Sequence, residues 1–192
     1  MYTQIDTVEG TKRGEDKKRL LTFIFVRTRL FYSLPIPDGT QKSVQNAIDM
    51  IYDRLGYEDF SFMFGVLLAD NGTEFENPST IECEKATGVL RSRIFYCNPY
   101  SSWEKGAIEV CHELLRRIIP KGSSLKDITE DDTKLINSNI NSYIRQSNDL
   151  KSAYDTFIEA FGDRGIRILS KLNITRIEAN DVILHPSLLK KK

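Results

Sequence analysis

Three acidic residues carry the chemistry this chain can offer. Asp6 interrupts a strand pattern, Tyr2 to Val8, on the same face as Tyr2, Gln4 and Val8. Aspartate there runs against strand propensity. Asp70 ends an apolar run, Phe64-Gly65-Val66-Leu67-Leu68-Ala69. A buried strand delivers a carboxylate to the edge of a sheet in this way. Gly72 follows two residues later and allows a sharp turn. Glu109 lies in a helical pattern, with 38 residues between it and Asp70. Carboxylates that converge from strand ends and a nearby helix are hard oxygen ligands, suited to Mg²⁺ or Mn²⁺. Softer metal chemistry has little support. Cys83, Cys97 and Cys111 are far apart and form no C-x-x-C pair, and His112 and His185 are distant from each other.

The elements that must position these acids follow in order. Arg19 to Arg27 is almost continuously apolar and rich in β-formers, so it reads as a central strand buried on both faces. Leu30 to Leu34 is the next strand, stopped by Pro35 and Pro37. With the first strand they form an antiparallel meander. Thr40 to Leu55 is a helix with Val44, Ala47, Ile48 and Ile51 on one stripe. The strand ending at Asp70 comes next. A helix then runs from Asn77-Pro78 to about Ala86, and Val89 to Tyr96 is a fifth strand.

Pro99 breaks the chain before the helix that carries Glu109. Ser101 is its expected N-cap and Glu104 the reciprocal member of a capping box. Trp103, Ala107, Val110, Cys111, Leu114 and Ile118 form its expected apolar stripe, which leaves Ile108 off the stripe. Thr129 caps a further helix with Ile136, Ile140, Tyr143 and Ile144 on its apolar face. Tyr154 to Phe161 is a short helix stopped by Gly162, Ile166 to Leu172 another, and Asp181 to Leu184 a short strand. A boundary near Lys121 to Lys126 separates residues 1–122, the sheet core, from a mainly helical extension, residues 123–192.

The bulk numbers suit a globular chain. It has 192 residues, 40% hydrophobic and 28% charged, with zero formal net charge. No apolar run reaches the roughly 20 residues a membrane helix needs, and no secretion signal opens the chain, so the cytoplasm is the expected compartment. Neutrality gives no global argument for nucleic acid. Local basic clusters, including Arg91 with Arg93 and Arg116 with Arg117 and Lys121, read first as solvated surface.

The element order, with acids on the first strand, the fourth strand and the helix after the fifth, matches a ribonuclease H-like fold: an α/β fold with a mixed five-stranded sheet flanked by helices. Specific stretches resemble one family. Ile5-Asp6-Thr7-Val8-Glu9-Gly10, Arg27-Thr28-Arg29, Asp70-Asn71-Gly72-Thr73-Glu74-Phe75 and Asn98-Pro99-Tyr100-Ser101-Ser102-Trp103-Glu104-Lys105-Gly106 look like the core of insertion sequence 30 family transposases. The Leu114-Leu115-Arg116-Arg117 run before Pro120-Lys121-Gly122 fits the same pattern.

The resemblance implies a DDE triad at Asp6, Asp70 and Glu109 that holds two divalent ions, Mg²⁺ or Mn²⁺, for DNA strand nicking and strand transfer. Such in-line displacement suits a two-metal clamp. Asn71, Tyr100, Lys105 and Arg116 are the candidate DNA contacts, with element ends and target DNA as partners and a homodimer as the working form. Family members carry helix-turn-helix segments ahead of the core, and Asp6 has five residues before it. A core separated from those segments, with weak salt-sensitive DNA binding, is therefore expected. Ile108 and Val110 flank Glu109 where the family has polar residues. That keeps a second reading open, a remnant that retains the fold and dimerises without cutting.

Overall fold

A computed structural model describes residues 1–11, 16–85, 87–98, 102–146 and 150–189, with Ser102 and Trp103 described by backbone alone. Strands β1 (Thr3–Glu9), β2 (Arg19–Phe25) and β3 (Leu30–Ile36) form the antiparallel meander. Helices α1 (Gln41–Leu55) and α2 (Tyr57–Phe64) then cross over to β4 (Val66–Ala69), which runs parallel to β1. Helix α3 (Pro78–Glu82) leads to β5 (Arg93–Tyr96), parallel to β4. The sheet order is β3-β2-β1-β4-β5. Helices α4 (Gly106–Ile118) and α5 (Glu130–Ser142), a small hairpin of β6 (Ile144–Arg145) and β7 (Lys151–Ser152), and α6 (Ala153–Lys171) complete the described α-helices and strands.

Alternation along β2 explains the layering. Leu21 and Phe23 face a core built with Val44, Ile48 and Ile51 of α1, Phe60 and Phe64 of α2, and Phe157 and Ile168 of α6. Leu20 and Ile24 face the opposite way, into a second core with Ile108, Cys111 and Leu115 of α4 and Ile136 and Ile140 of α5. A strand covered on both sides must be apolar throughout, and all of β2 except Arg19 is buried. The segment after Gly122 contributes to both cores through α5 and α6.

Several local expectations change. Residues Tyr57–Phe64 form a helix, and the strand that ends before Asp70 begins only at Val66. Phe60, Met63 and Phe64 at i, i+3 and i+4 are its buried stripe. Its Asp59 is buried against Arg164 (3.2 Å), Arg167 (2.9 Å) and Lys171 (3.0 Å) of α6. Hydrogen bonding from Arg167 leads the effects that hold this carboxyl well below the usual range. The second expected helix stops at Glu82, and β5 spans only Arg93–Tyr96, because Val89 and Leu90 are exposed.

Arg91, expected as solvated surface, is 2% exposed and pairs with Asp49 at 2.6 Å. Helix α5 ends at Ser142, which leaves Ile144 in β6 and exposed. The two short helices expected around Gly162 run as α6, whose backbone departs from helix at Gly162 (φ 51°, ψ −132°). Asp181 closes a 3₁₀ turn, Ala179–Asp181, in place of a strand.

Candidate active site

Asp6 and Asp70 meet because β1 and β4 are parallel neighbours. Gln4 pairs with Leu68 across them, and each acid stands two residues further along the chain, Asp6 within β1 and Asp70 just past β4. The two carboxylates are arranged alike. Asp6 Oδ1 accepts from the Thr7 backbone N–H at 2.8 Å, and Asp70 Oδ1 accepts from the Gly72 N–H at 3.1 Å. Both Oδ2 atoms then reach one point, the Lys105 Nζ, at 3.1 Å each. The side chain of Lys105 is 7% exposed, against 23% for Asp6 and 48% for Asp70. Burial raises the Asp6 pKa; the Lys105 ammonium works against that rise and the Asp70 charge adds to it.

Gln4 fixes the approach of Lys105. Its Nε2 donates to the Glu104 carbonyl at 2.7 Å, and its Oε1 accepts from the Ile108 N–H at 2.9 Å. One buried amide thus ties β1 to the start of α4. A 3₁₀ turn, Ser102–Lys105, precedes α4, which begins at Gly106. Glu104 is the expected capping-box partner of Ser101, which lies outside the described residues. Its carboxylate accepts from the Asn98 backbone N–H and from Asn98 Nδ2, both at 2.9 Å, and holds the end of β5 beside the turn. Ser101, the expected cap, and Tyr100 lie outside the described residues, as does the Trp103 side chain. The stripe of α4 is also rotated from expectation. Ile108 is 0% exposed and Val110 49%, because the helix is seated on β1 and β2 rather than reached only from its far side.

Glu109 is exposed, four residues after Lys105 and three before His112. Those spacings share a helix face, and both flanking residues reach the β1–β2 layer: Lys105 at Asp6, and His112 through Nε2 to Thr22 Oγ1 at 2.9 Å. Thr22 Oγ1 donates to the Asp6 carbonyl at 3.0 Å. A hydroxyl has one hydrogen, so His112 Nε2–H is the donor to Thr22. Burial, helped by Lys105 and Arg116, pushes the His112 pKa down to about 4. Among the described residues, no three His, Cys, Asp or Glu side chains gather closely enough to hold an ion. The structure thus brings Asp6, Asp70 and Lys105 together and leaves Glu109 apart on the adjoining turn.

The other named candidates are tethered. Asn71 Nδ2 donates to the Cys97 carbonyl at 3.2 Å, and Arg116 Nη2 to the Glu9 carbonyl at 3.0 Å. Sequence reasoning missed Gln4, Thr7, Glu74, Thr22 and His112 as site neighbours. Thr7 Oγ1 donates to Glu74 Oε1 at 2.6 Å and joins β1 to the turn after Asp70. Gln4 had a legible signal, a polar residue on the Asp6 face of a core strand. Beyond Gln4 a pocket of about 380 Å³ opens, lined by Tyr2, Arg29, Glu104, Val110 and Arg145 among others.

No protein-family model matches the chain. Over 139 residues it is 43% identical to the probable transposase for insertion-like sequence element IS1161 of Streptococcus salivarius, an alignment covering 70% of this chain and 36% of that protein. It is 35% identical over 80 residues to the transposase for insertion sequence element IS4351 of Bacteroides fragilis, covering 42% of this chain and 23% of that one. It is 32% identical over 81 residues to the transposase for insertion sequence element IS1086 of Cupriavidus metallidurans, covering 42% and 22%. The curated relatives of this chain are insertion-sequence transposases. The matches span 22% to 36% of those transposases' length.

Solved structures show the fold. The catalytic core domain of BIV integrase superposes with a TM-score of 0.57 at 19% identity, covering 83% of this chain and 94% of that one. A chain of the simian T-cell lymphotropic virus intasome in complex with PP2A regulatory subunit B56 gamma gives 0.59 at 15%, covering 81% and 53%. The fold is ribonuclease H-like, as the order of elements led us to expect. Among the described residues no helix is long and apolar enough to cross a membrane.

Proposed function

We propose that this chain is the catalytic core of a DDE transposase, nicking and joining DNA strands with Mg²⁺ or Mn²⁺ held by Asp6, Asp70 and Glu109. The observation that carries this reading is the convergence of Asp6 Oδ2, from within β1, and Asp70 Oδ2, just past the end of parallel β4, on a single positive centre. That donor set fits a hard divalent cation: carboxylate oxygens only, with Asp6 partly buried and Asp70 half exposed. When bound, such ions polarise a phosphoryl oxygen and activate an attacking oxygen. Asp6 and Asp70 supply the fixed ligands, oriented through their own backbone N–H bonds. Glu109 joins them from α4. Asn71, Tyr100, Lys105 and Arg116 border the path of the DNA. Two copies working on paired ends, in the cytoplasm where the DNA lies, complete the reading.

A second reading, an interaction module that no longer cuts, is favoured by one observation: Glu109 is not gathered with the two aspartates among the described residues. Plasmid nicking decides between them. Supercoiled DNA incubated with the chain and Mn²⁺ is expected to relax, with Asp70→Asn and Glu109→Gln each reducing nicking to background. A wild-type chain that binds DNA without nicking it, at any Mn²⁺ concentration tried, supports the interaction module. Unchanged nicking in both variants removes the assigned acids from the chemistry.

A further inference from the structure

We infer that Lys105 is the resident counter-ion of the Asp6–Asp70 pair, a positioning residue that an arriving divalent cation must displace. The inference rests on the metal-site reading above and concerns how that site is kept before it is filled. Three observations carry it. First, the two carboxylates divide their oxygens in the same way, Oδ1 to the local backbone and Oδ2 to Lys105, so the ammonium sits where their free ligand atoms meet. Second, the distances are equal, 3.1 Å and 3.1 Å, so the ammonium bridges the acids and belongs to neither. Third, Lys105 is 6% exposed, and its backbone is fixed at the junction of the 3₁₀ turn and α4, where Gln4 holds the residues on both sides of it.

The charges explain why something must stand there. Two carboxylates at this separation repel each other, and Asp6 is already partly desolvated. One ammonium compensates half of the pair's formal charge and holds the acids at a common focus. A divalent cation offers twice the charge at the same focus, and the two cannot share it. Lysine suits the exchange, because its ammonium is a point charge on a flexible four-carbon stem and can leave without moving the backbone. Once displaced, the same ammonium is free to meet an anionic substrate at the mouth of the site.

The consequence is measurable without any turnover. Mn²⁺ is titrated by calorimetry into the full chain and into Lys105→Met, Lys105→Gln and Asp70→Asn, each checked for folding by its thermal melt. Removing the competing charge should tighten Mn²⁺ binding at least roughly fivefold in the folded Lys105 variants, the effect of a unit charge about 4 Å away even at the dielectric of bulk water. Asp70→Asn should abolish binding. If Lys105→Gln and Lys105→Met bind as weakly as the wild type or more weakly, while Asp70→Asn still abolishes binding, the counter-ion role is wrong and the metal site stands. If Asp70→Asn binds like the wild type, or no chain binds, the metal-site reading fails and the inference fails with it.

Discussion

Asn141 treats Phe31 as a neighbouring strand residue would: its Oδ1 accepts from the Phe31 N–H at 2.8 Å and its Nδ2 donates to the Phe31 carbonyl at 2.6 Å. One helical turn earlier, Asn137 does the same to Ser33, at 2.9 Å to both N–H and carbonyl. The spacings agree. Four residues of helix rise about 6 Å, and two residues of antiparallel strand rise about 6.8 Å. Two asparagines at i and i+4 can therefore serve alternate residues of β3, the edge strand nearest α5. That edge keeps its backbone groups satisfied without a sixth strand.

Asn141→Ala is expected to destabilise the chain by roughly 2 to 3 kcal/mol, since it leaves a buried N–H and a buried carbonyl unpaired. Urea denaturation measures the loss, and light scattering during refolding should report more aggregation from the reopened edge. A loss below about 0.5 kcal/mol, the level of an ordinary surface change, would show that the amide is not sealing the strand.

His112 makes stability depend on pH in a known direction. Its folded pKa, about 4, lies below the ordinary 6.5, so the fold favours the neutral ring. The stability it contributes is complete above pH 6.5 and drains away as pH falls toward 4. His112→Gln keeps an N–H donor for Thr22 and cannot protonate. Thermal melts from pH 7 down to pH 4 should therefore fall less steeply in His112→Gln than in the wild type, by an amount on the order of 2 kcal/mol. Parallel curves would remove the imidazole from the acid response.

Arg29 is the exposed cation of the pocket beside α4, at the β2–β3 turn with φ 59°. Asparagine tolerates that left-handed backbone, so Arg29→Asn changes charge more than shape. If a DNA phosphate passes this pocket, duplex affinity measured by anisotropy should weaken and the slope of log K against log salt should flatten by about 1. An unchanged slope would place the strand elsewhere.

Much of this was legible in the chain. The two-sided burial of β2, the stripe of α1 and the strand-end position of Asp70 are local patterns, and local patterns carried the order of elements and the pairing of Asp6 with Asp70. What failed was information that only packing supplies. The rotation of α4, which buries Ile108 and exposes Val110, depends on where Gln4 grips it. The helix Tyr57–Phe64 is too short for its period to stand out against the apolar strand that follows. Asn137 and Asn141 sit next to the apolar face of α5 and look solvated until β3 is known to lie beneath them. That Lys105 bridges Asp6 and Asp70 was not legible either, because its long stem carries the charge back across the sheet.

The equal treatment of Asp6 and Asp70 has a consequence for side-chain length. Each side chain must satisfy an amide one or two residues downstream with one oxygen and still present the other to the shared centre. Aspartate, with one methylene, is short enough to do both, from within β1 at Asp6 and from just past β4 at Asp70. Glutamate would lift its carboxyl past the amide or past the focus, so an acid of the right charge and the wrong reach is a different residue here. The choice of Asp at these two positions thus records how near each backbone stands to their common point, the Lys105 Nζ.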